Sequence, residues 1–204
     1  MKTHPYTPVM VFGSNAVVTI ALVLIGQYAT WKETLLLFVT GFLSWTLIEY
    51  LLHRFPFHGR IKSKALNLFL SGQHLFHHKY PNHPDYVVAP MAMAVPLYLL
   101  FLGVFRLLSG DAIPALILGA GLSVGYLIYE WLHYSAHHRP ARTGVGRYLK
   151  RYHLIHHFKD SDNYFGVSSP FWDILFGTMP SYDPKKETSI LPIASRERAV
   201  QVTP

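Results

Sequence analysis

Four long apolar blocks dominate the chain. They run at about 9–29, 34–52, 87–108 and 113–132. Each is close to the roughly 20 residues a helix needs to cross a bilayer. The first carries no charge. The second and fourth each carry one acid near the end, Glu49 and Glu130, and the third is interrupted by Pro90 and Pro96. Proline is tolerated in such helices when neighbours satisfy the freed carbonyls. The linkers 30–33 and 109–112 are very short, so the blocks predict two tight helical hairpins. The first block is too long for a signal-peptide core and lacks a clear small-residue cleavage site, so it is read as a retained span.

Composition fits a membrane chain. Half of the 204 residues are hydrophobic and 14% are charged, against about 25% charged in soluble domains. The formal charge of +7 comes with no nucleic-acid-binding motif, so no nucleic-acid partner is expected. Its distribution points instead to orientation. Of the 18 Lys and Arg residues, 16 fall in the N-terminal tail, in the middle loop or after the fourth block. Only Lys32 and Arg106 fall on the other side. By the positive-inside rule both termini and the middle loop are cytosolic. The expected layout is a cytosolic tail at 1–8, a membrane and metal-binding domain at 9–178, and a polar, loosely ordered tail at 179–204.

Cysteine is absent, which removes disulfides and thiolate metal sites and leaves nitrogen and oxygen ligands. Histidine is abundant: 12 of 13 lie between His53 and His157, all on the cytosolic side of this topology. They form four boxes. The first is His53 with His58, and the second His74, His77 and His78. The third is His133, His137 and His138, and the fourth His153, His156 and His157. Residues three and four apart share one helix face, so each helical box is expected to aim two or three imidazoles at one point. Pro56 is expected to end the second span, with His58 turning back from a loop. This many imidazoles suffices for two metal ions, and buried imidazoles clustered without metal would repel one another when protonated. The expected fold is therefore an all-α integral membrane protein, with four transmembrane helices in two hairpins capped by a cytosolic helical histidine-rich part (53–86 and 133–178).

Glu49 and Glu130 precede the first and third boxes in strings that echo each other, Glu49-Tyr50-Leu51-Leu52-His53 and Glu130-Trp131-Leu132-His133. An acid inside a span is costly and usually partnered. Each is expected to accept an imidazole N–H and fix its tautomer. Phe55, Phe57, Phe76, Trp131 and Tyr134 are candidates to line a path for a lipid chain. The apolar string 171–176 reads as a short amphipathic structural piece, lying on the membrane or packing under the cap.

These boxes resemble the fatty acid hydroxylase superfamily of membrane histidine-box oxygenases, and within it most resemble the fatty acid 2-hydroxylases. The likeness is carried by Trp45-Thr46-Leu47-Ile48-Glu49-Tyr50 through His58. It is also carried by the run from Tyr152 to Thr178, with Phe165-Gly166-Val167 and Ser169-Pro170-Phe171-Trp172-Asp173. The resemblance implies an O2-dependent oxidoreductase that places a hydroxyl beside the acyl carbonyl of a fatty acid or sphingolipid. It implies two metal ions held by His53, His58, His74, His77, His78, His133, His137, His153, His156 and His157. His83 and His138 remain as outer or substrate-side candidates beside Glu49 and Glu130. Iron suits the chemistry; zinc suits imidazoles but cannot cycle electrons. Many eukaryotic relatives carry a fused cytochrome domain that these residues do not include, so a separate cytochrome, ferredoxin or reductase is expected as electron donor. Sterol or carotenoid oxidation on the same scaffold is an alternative. A non-enzymatic metal-binding or transport protein is another, but a transporter should carry its ligands near mid-membrane.

Overall fold

A computed structural model describes residues 3–4, 6–59 and 62–180. The tail expected at 179–204 lies almost wholly outside them. The described residues form helices only. They are α1 (Val9–Ile25), α2 (Trp31–Phe57), α3 (Lys64–Leu70), α4 (Gly72–Lys79), α5 (Pro84–Val87), α6 (Met91–Ser109), α7 (Ala112–His138), α8 (Gly144–Phe158) and α9 (Phe171–Leu175). Three stretches, Trp31–Phe57, Pro84–Ser109 and Ala112–His138, are long and apolar enough to cross a membrane. The apolar helix α1 is shorter than the expected 9–29, because Gly26 caps it and Gln27 turns left-handed at φ 53°.

Local chemistry sets the ends. Thr30 and Glu33 form a reciprocal capping box at the start of α2. Asp111 caps α7 by accepting the Ile113 N–H, and Gly110 at φ 70° supplies the left-handed exit from α6. Pro90 stands at the N-cap of α6, and Pro96 rides inside it. Pro56 does not end α2. The helix widens into a π turn over His53–Phe57, with the His58 N–H reaching the His53 carbonyl at 3.2 Å. A π turn closes five residues on, so proline's missing donor is absorbed and His58 follows directly.

The central pair is α2 and α7, flanked by α1 and α6 against α7. Their backbones touch. A Cβ on Gly41 would sit 2.0 Å from the Leu118 carbonyl oxygen, and one on Gly121 would sit 2.0 Å from that of Phe38. Only glycine permits this approach, as at close helix crossings in membranes generally. Both helices run toward the histidines, so this contact places His53 and His133 at the same end of the bundle. There α3, α4, α8, α9 and the segment 159–170 cover them.

Candidate metal centre

The ten histidines of the four boxes fall into two groups of five. His53, His58, His74, His78 and His156 form one; His77, His133, His137, His153 and His157 form the other. Within each group the candidate ligand nitrogens all lie within 4.8 Å of one another. The second and fourth boxes do not each aim at a single point. His74 and His78 serve the first group while His77 serves the second; His153 and His157 serve the second while His156 serves the first. Successive residues on an α-helix turn by about 100°, so adjacent histidines must face different ways. Helices α4 and α8 thus bridge the groups.

The donor set fits metal ions. His156 donates its Nδ1–H to the Asn163 carbonyl at 2.7 Å, and His53 directs Nδ1 at the Phe165 carbonyl. Each is then left with an Nε2 lone pair facing its group. Yet His156 Nε2 lies 3.0 Å from His58 Nε2 and 3.2 Å from His78 Nε2, and His53 Nε2 lies 3.1 Å from His74 Nε2. Two nitrogens bound to one ion at about 2.0–2.1 Å sit about this far apart. In the second group His133 and His137 approach His77 and His153 at 2.8 Å, and both ring nitrogens of His157 are buried without a partner. Both groups could therefore hold metal ions.

Burial keeps these imidazoles neutral, as ligands must be. It pushes His58 down to about 4, partly offset by Asp162, and His78 down to about 3, with His58 and His133 adding repulsion. His74, His77, His153, His156 and His157 are also held well below the ordinary histidine range, first by burial and then by their neighbours.

Among the described residues neither expected carboxylate accepts an imidazole N–H. Glu49, 3% exposed, accepts the Val167 and Ser168 backbone N–H groups and the Ser168 hydroxyl. It acts one step away, by holding the loop whose Phe165 carbonyl meets His53. Glu130 accepts the Ala89 N–H at 3.2 Å and ties α7 to the start of α6. His83 and His138 join neither group. His83 accepts the Asp85 N–H as the cap of α5, and His138 packs on Tyr134 with ring centroids 4.5 Å apart.

Asp173 is the residue sequence reasoning passed over. It is fully buried and accepts the Phe165 N–H at 2.9 Å, the Gly166 N–H at 2.7 Å and the Thr178 hydroxyl at 2.8 Å. Tyr50 Oη lies 3.0 Å from Thr178 Oγ1, and Trp172 donates to Thr46 at 2.9 Å. So α9 is pinned to α2. The available signal was an acid inside an aromatic string, since a buried acid requires partners.

One apolar cavity connects the spans to the site. Phe101, Leu122, Tyr98 and Trp45 line its deep part; His53 and His74 of the first group and His77 and His133 of the second line its upper part. Of the aromatic residues expected along a lipid path, Phe57 lines this cavity. Phe55 and Trp131 are 54% and 59% exposed, Phe76 stacks on Tyr86, and Tyr134 packs on His138.

Two buried five-imidazole groups at one end of a bundle of apolar helices define a membrane histidine-box protein. The comparison with known proteins specifies it further: the fatty acid hydroxylase family model matches residues 38–178, and the chain belongs to that family. It is 40% identical over 151 residues to a dihydroceramide fatty acyl 2-hydroxylase of Arabidopsis thaliana, covering 73% of this chain and 63% of that protein. It is 35% identical over 159 residues to the fatty acid 2-hydroxylase of Rattus norvegicus, covering 74% of this chain and 42% of that one. A solved structure of full-length scs7p, with only the hydroxylase domain visible, superposes with a TM-score of 0.78 at 32% identity, over 87% of this chain and 67% of that one. The chain thus spans less than two thirds of the curated relatives it matches.

Proposed function

We propose that this protein hydroxylates a lipid acyl chain at C2, next to the carbonyl of a fatty acid or sphingolipid, with O2 as oxidant. The observation that carries this is the apolar cavity between the spans, which runs up to both histidine groups. A tail can be drawn from the bilayer into it without entering water. The named relatives act as fatty acid or dihydroceramide 2-hydroxylases, which supports the C2 position.

The ten histidines would hold two metal ions, five imidazoles to each. A bound redox metal, iron rather than zinc, would activate O2 and so supply the oxidising power that hydroxylating an acyl C–H bond requires. The chain's own residues do the rest. The Phe165 and Asn163 carbonyls fix the tautomers of His53 and His156. Glu49 and Asp173 hold the loop that carries the first of these carbonyls. Leu52, Phe57 and Val87 keep the cavity below the histidines apolar. Overall, one acyl C–H, O2, two electrons and two protons become one C–OH and one water. The electrons come from a donor of cytochrome, ferredoxin or reductase type.

All four of α1, α2, α6 and α7 cross the bilayer in this reading, within a domain of 9–178. The site, the tail 1–8 and the C-terminal segment face the cytosol, as the basic residues direct. Mass spectrometry of lipids from cells with and without the chain, under 18O2, tests the activity. The expected product is a 2-hydroxy acyl lipid carrying the label. Label on a sterol or carotenoid ring would overturn the acyl reading. No labelled lipid under any electron supply would leave a metal-binding protein.

A further inference from the structure

A polar side chain within an apolar membrane helix is costly and normally has a task. Asn15 is such a residue, in the second turn of α1, outside the segment matched by the family model. Its Nδ2 donates to Tyr98 Oη at 2.8 Å and to Ser123 Oγ at 3.1 Å. Ser123 is buried and donates its own hydroxyl to the Gly119 carbonyl at 3.0 Å. Tyr98 leaves α6 and crosses to α7, where its Oη would stand 2.9 Å from a Cβ on Gly119. Its ring also lines the cavity that reaches the histidines. Three helices therefore fix one phenol across the deep part of that cavity.

We propose that Tyr98, latched by Asn15 and Ser123, is the floor of the acyl pocket and sets the length of tail the protein accepts. This rests on the acyl-hydroxylase reading above. Ser123 and His133 are ten positions apart on α7, which puts the floor about 15 Å below the second histidine group. Carbon–carbon bonds of about 1.5 Å advance an extended tail by roughly 1.3 Å per methylene, so about a dozen methylenes fit between the site and Tyr98. Each further methylene that the floor keeps from burial costs up to about fourfold in kcat/KM, equivalent to ~0.8 kcal/mol. The same contacts would also serve as plain glue between α1, α6 and α7. Glue and floor differ in what their removal does to selectivity.

The test supplies an equimolar series of acyl chains to the protein in membranes with an electron donor, and reads the length profile of the 2-hydroxy products. Tyr98→Ala opens the floor, and the optimum should move several methylenes longer. Asn15→Leu keeps the ring but releases its hydroxyl, and should broaden the profile toward longer tails by a smaller step. A second reading needs no turnover: mass spectrometry of the acyl lipids retained by the purified wild-type chain and both variants should show the same lengthening. Retained tails that lengthen while the wild-type chain hydroxylates nothing would sink the activity and keep the floor. Profiles that keep their shape in both variants, with yield falling equally at every length, would reduce the latch to glue and overturn the proposal.

Discussion

The molecule has two halves that do the same thing differently. Helices α1 and α2 followed by α3 and α4 lead to His53, His58, His74, His77 and His78. Helices α6 and α7 followed by α8 lead to His133, His137, His153, His156 and His157. The matching positions stand about eighty residues apart, and so do the glycines at the α2–α7 contact, Gly41 and Gly121. The first pair of ligands shows the difference. His133 and His137 are four apart on regular helix, with ring centroids at 5.4 Å. His53 and His58 are five apart and reach 5.1 Å only because the helix widens into a π turn. The two histidine groups, each of which draws one member from the other half, also differ in bracing. His53 and His156 of the first group lean on backbone carbonyls of the segment 159–170. In the second group, Nδ1 of His77, His137, His153 and His157 is buried without a partner. A helix can place an imidazole by itself; one whose ring is braced by a loop carbonyl depends on whatever holds the loop.

Removing a ligand should have the largest effect. His156→Ala and His77→Ala should each abolish hydroxylation, and elemental analysis should show the metal content falling from two ions per chain to one. A variant that keeps both ions and full activity would show that the groups are not what they are proposed to be. The spans should stay inserted, because their backbone hydrogen bonds do not need the metal.

The loop dependence comes next in size. Asp173→Asn and Glu49→Gln should each weaken metal retention in the first group about 10–100-fold against a chelator, the usual cost of losing an outer partner. The second group should keep its ion. Equal loss from both groups would erase the distinction between them.

Acid should reveal the buried imidazoles in metal-depleted protein. Their proton affinity is lower in the folded chain than in the unfolded one, so the unfolded state gains protons first as pH falls. Stability should hold above about 6.5 and decline below it, toward the values near 4 and 3 for His58 and His78. A melting temperature that stays level from pH 7 to 4 would contradict this. The smallest effect belongs to a histidine in neither group. His83→Ala should cost about 1 kcal/mol through its lost cap and leave turnover within about twofold.

The helices and the ten histidines were legible because apolar blocks and repeated boxes are local patterns. Their division into two groups was hidden: the sequence shows that His77 and His78 are adjacent, and only helical geometry sends them apart. Pro56 misled for a related reason, since a π turn leaves no mark that separates it from a helix end. Glu49 was recognised as a partnered acid but assigned to an imidazole, because its real partners are backbone N–H groups 118 and 119 positions away. Asp173 was missed although its partners lie only five to eight positions away, because backbone N–H groups and a hydroxyl leave no motif in the sequence. The cavity was not foreseen at Tyr98 or Leu122, which read in sequence as ordinary span residues.

The exchange of His77 and His156 between the halves matters most while the chain is being made. At translation rates of about 5–20 residues per second, the roughly eighty residues separating His74 from His156 take some 4–16 s to emerge. Through that interval the first group has four of its five imidazoles and lacks His156. A metal ion captured then would meet an incomplete shell, and the full one closes only after α8 has left the ribosome and docked. On the proposed function, the first group would therefore complete its shell of five imidazoles only once α7 and α8 are made.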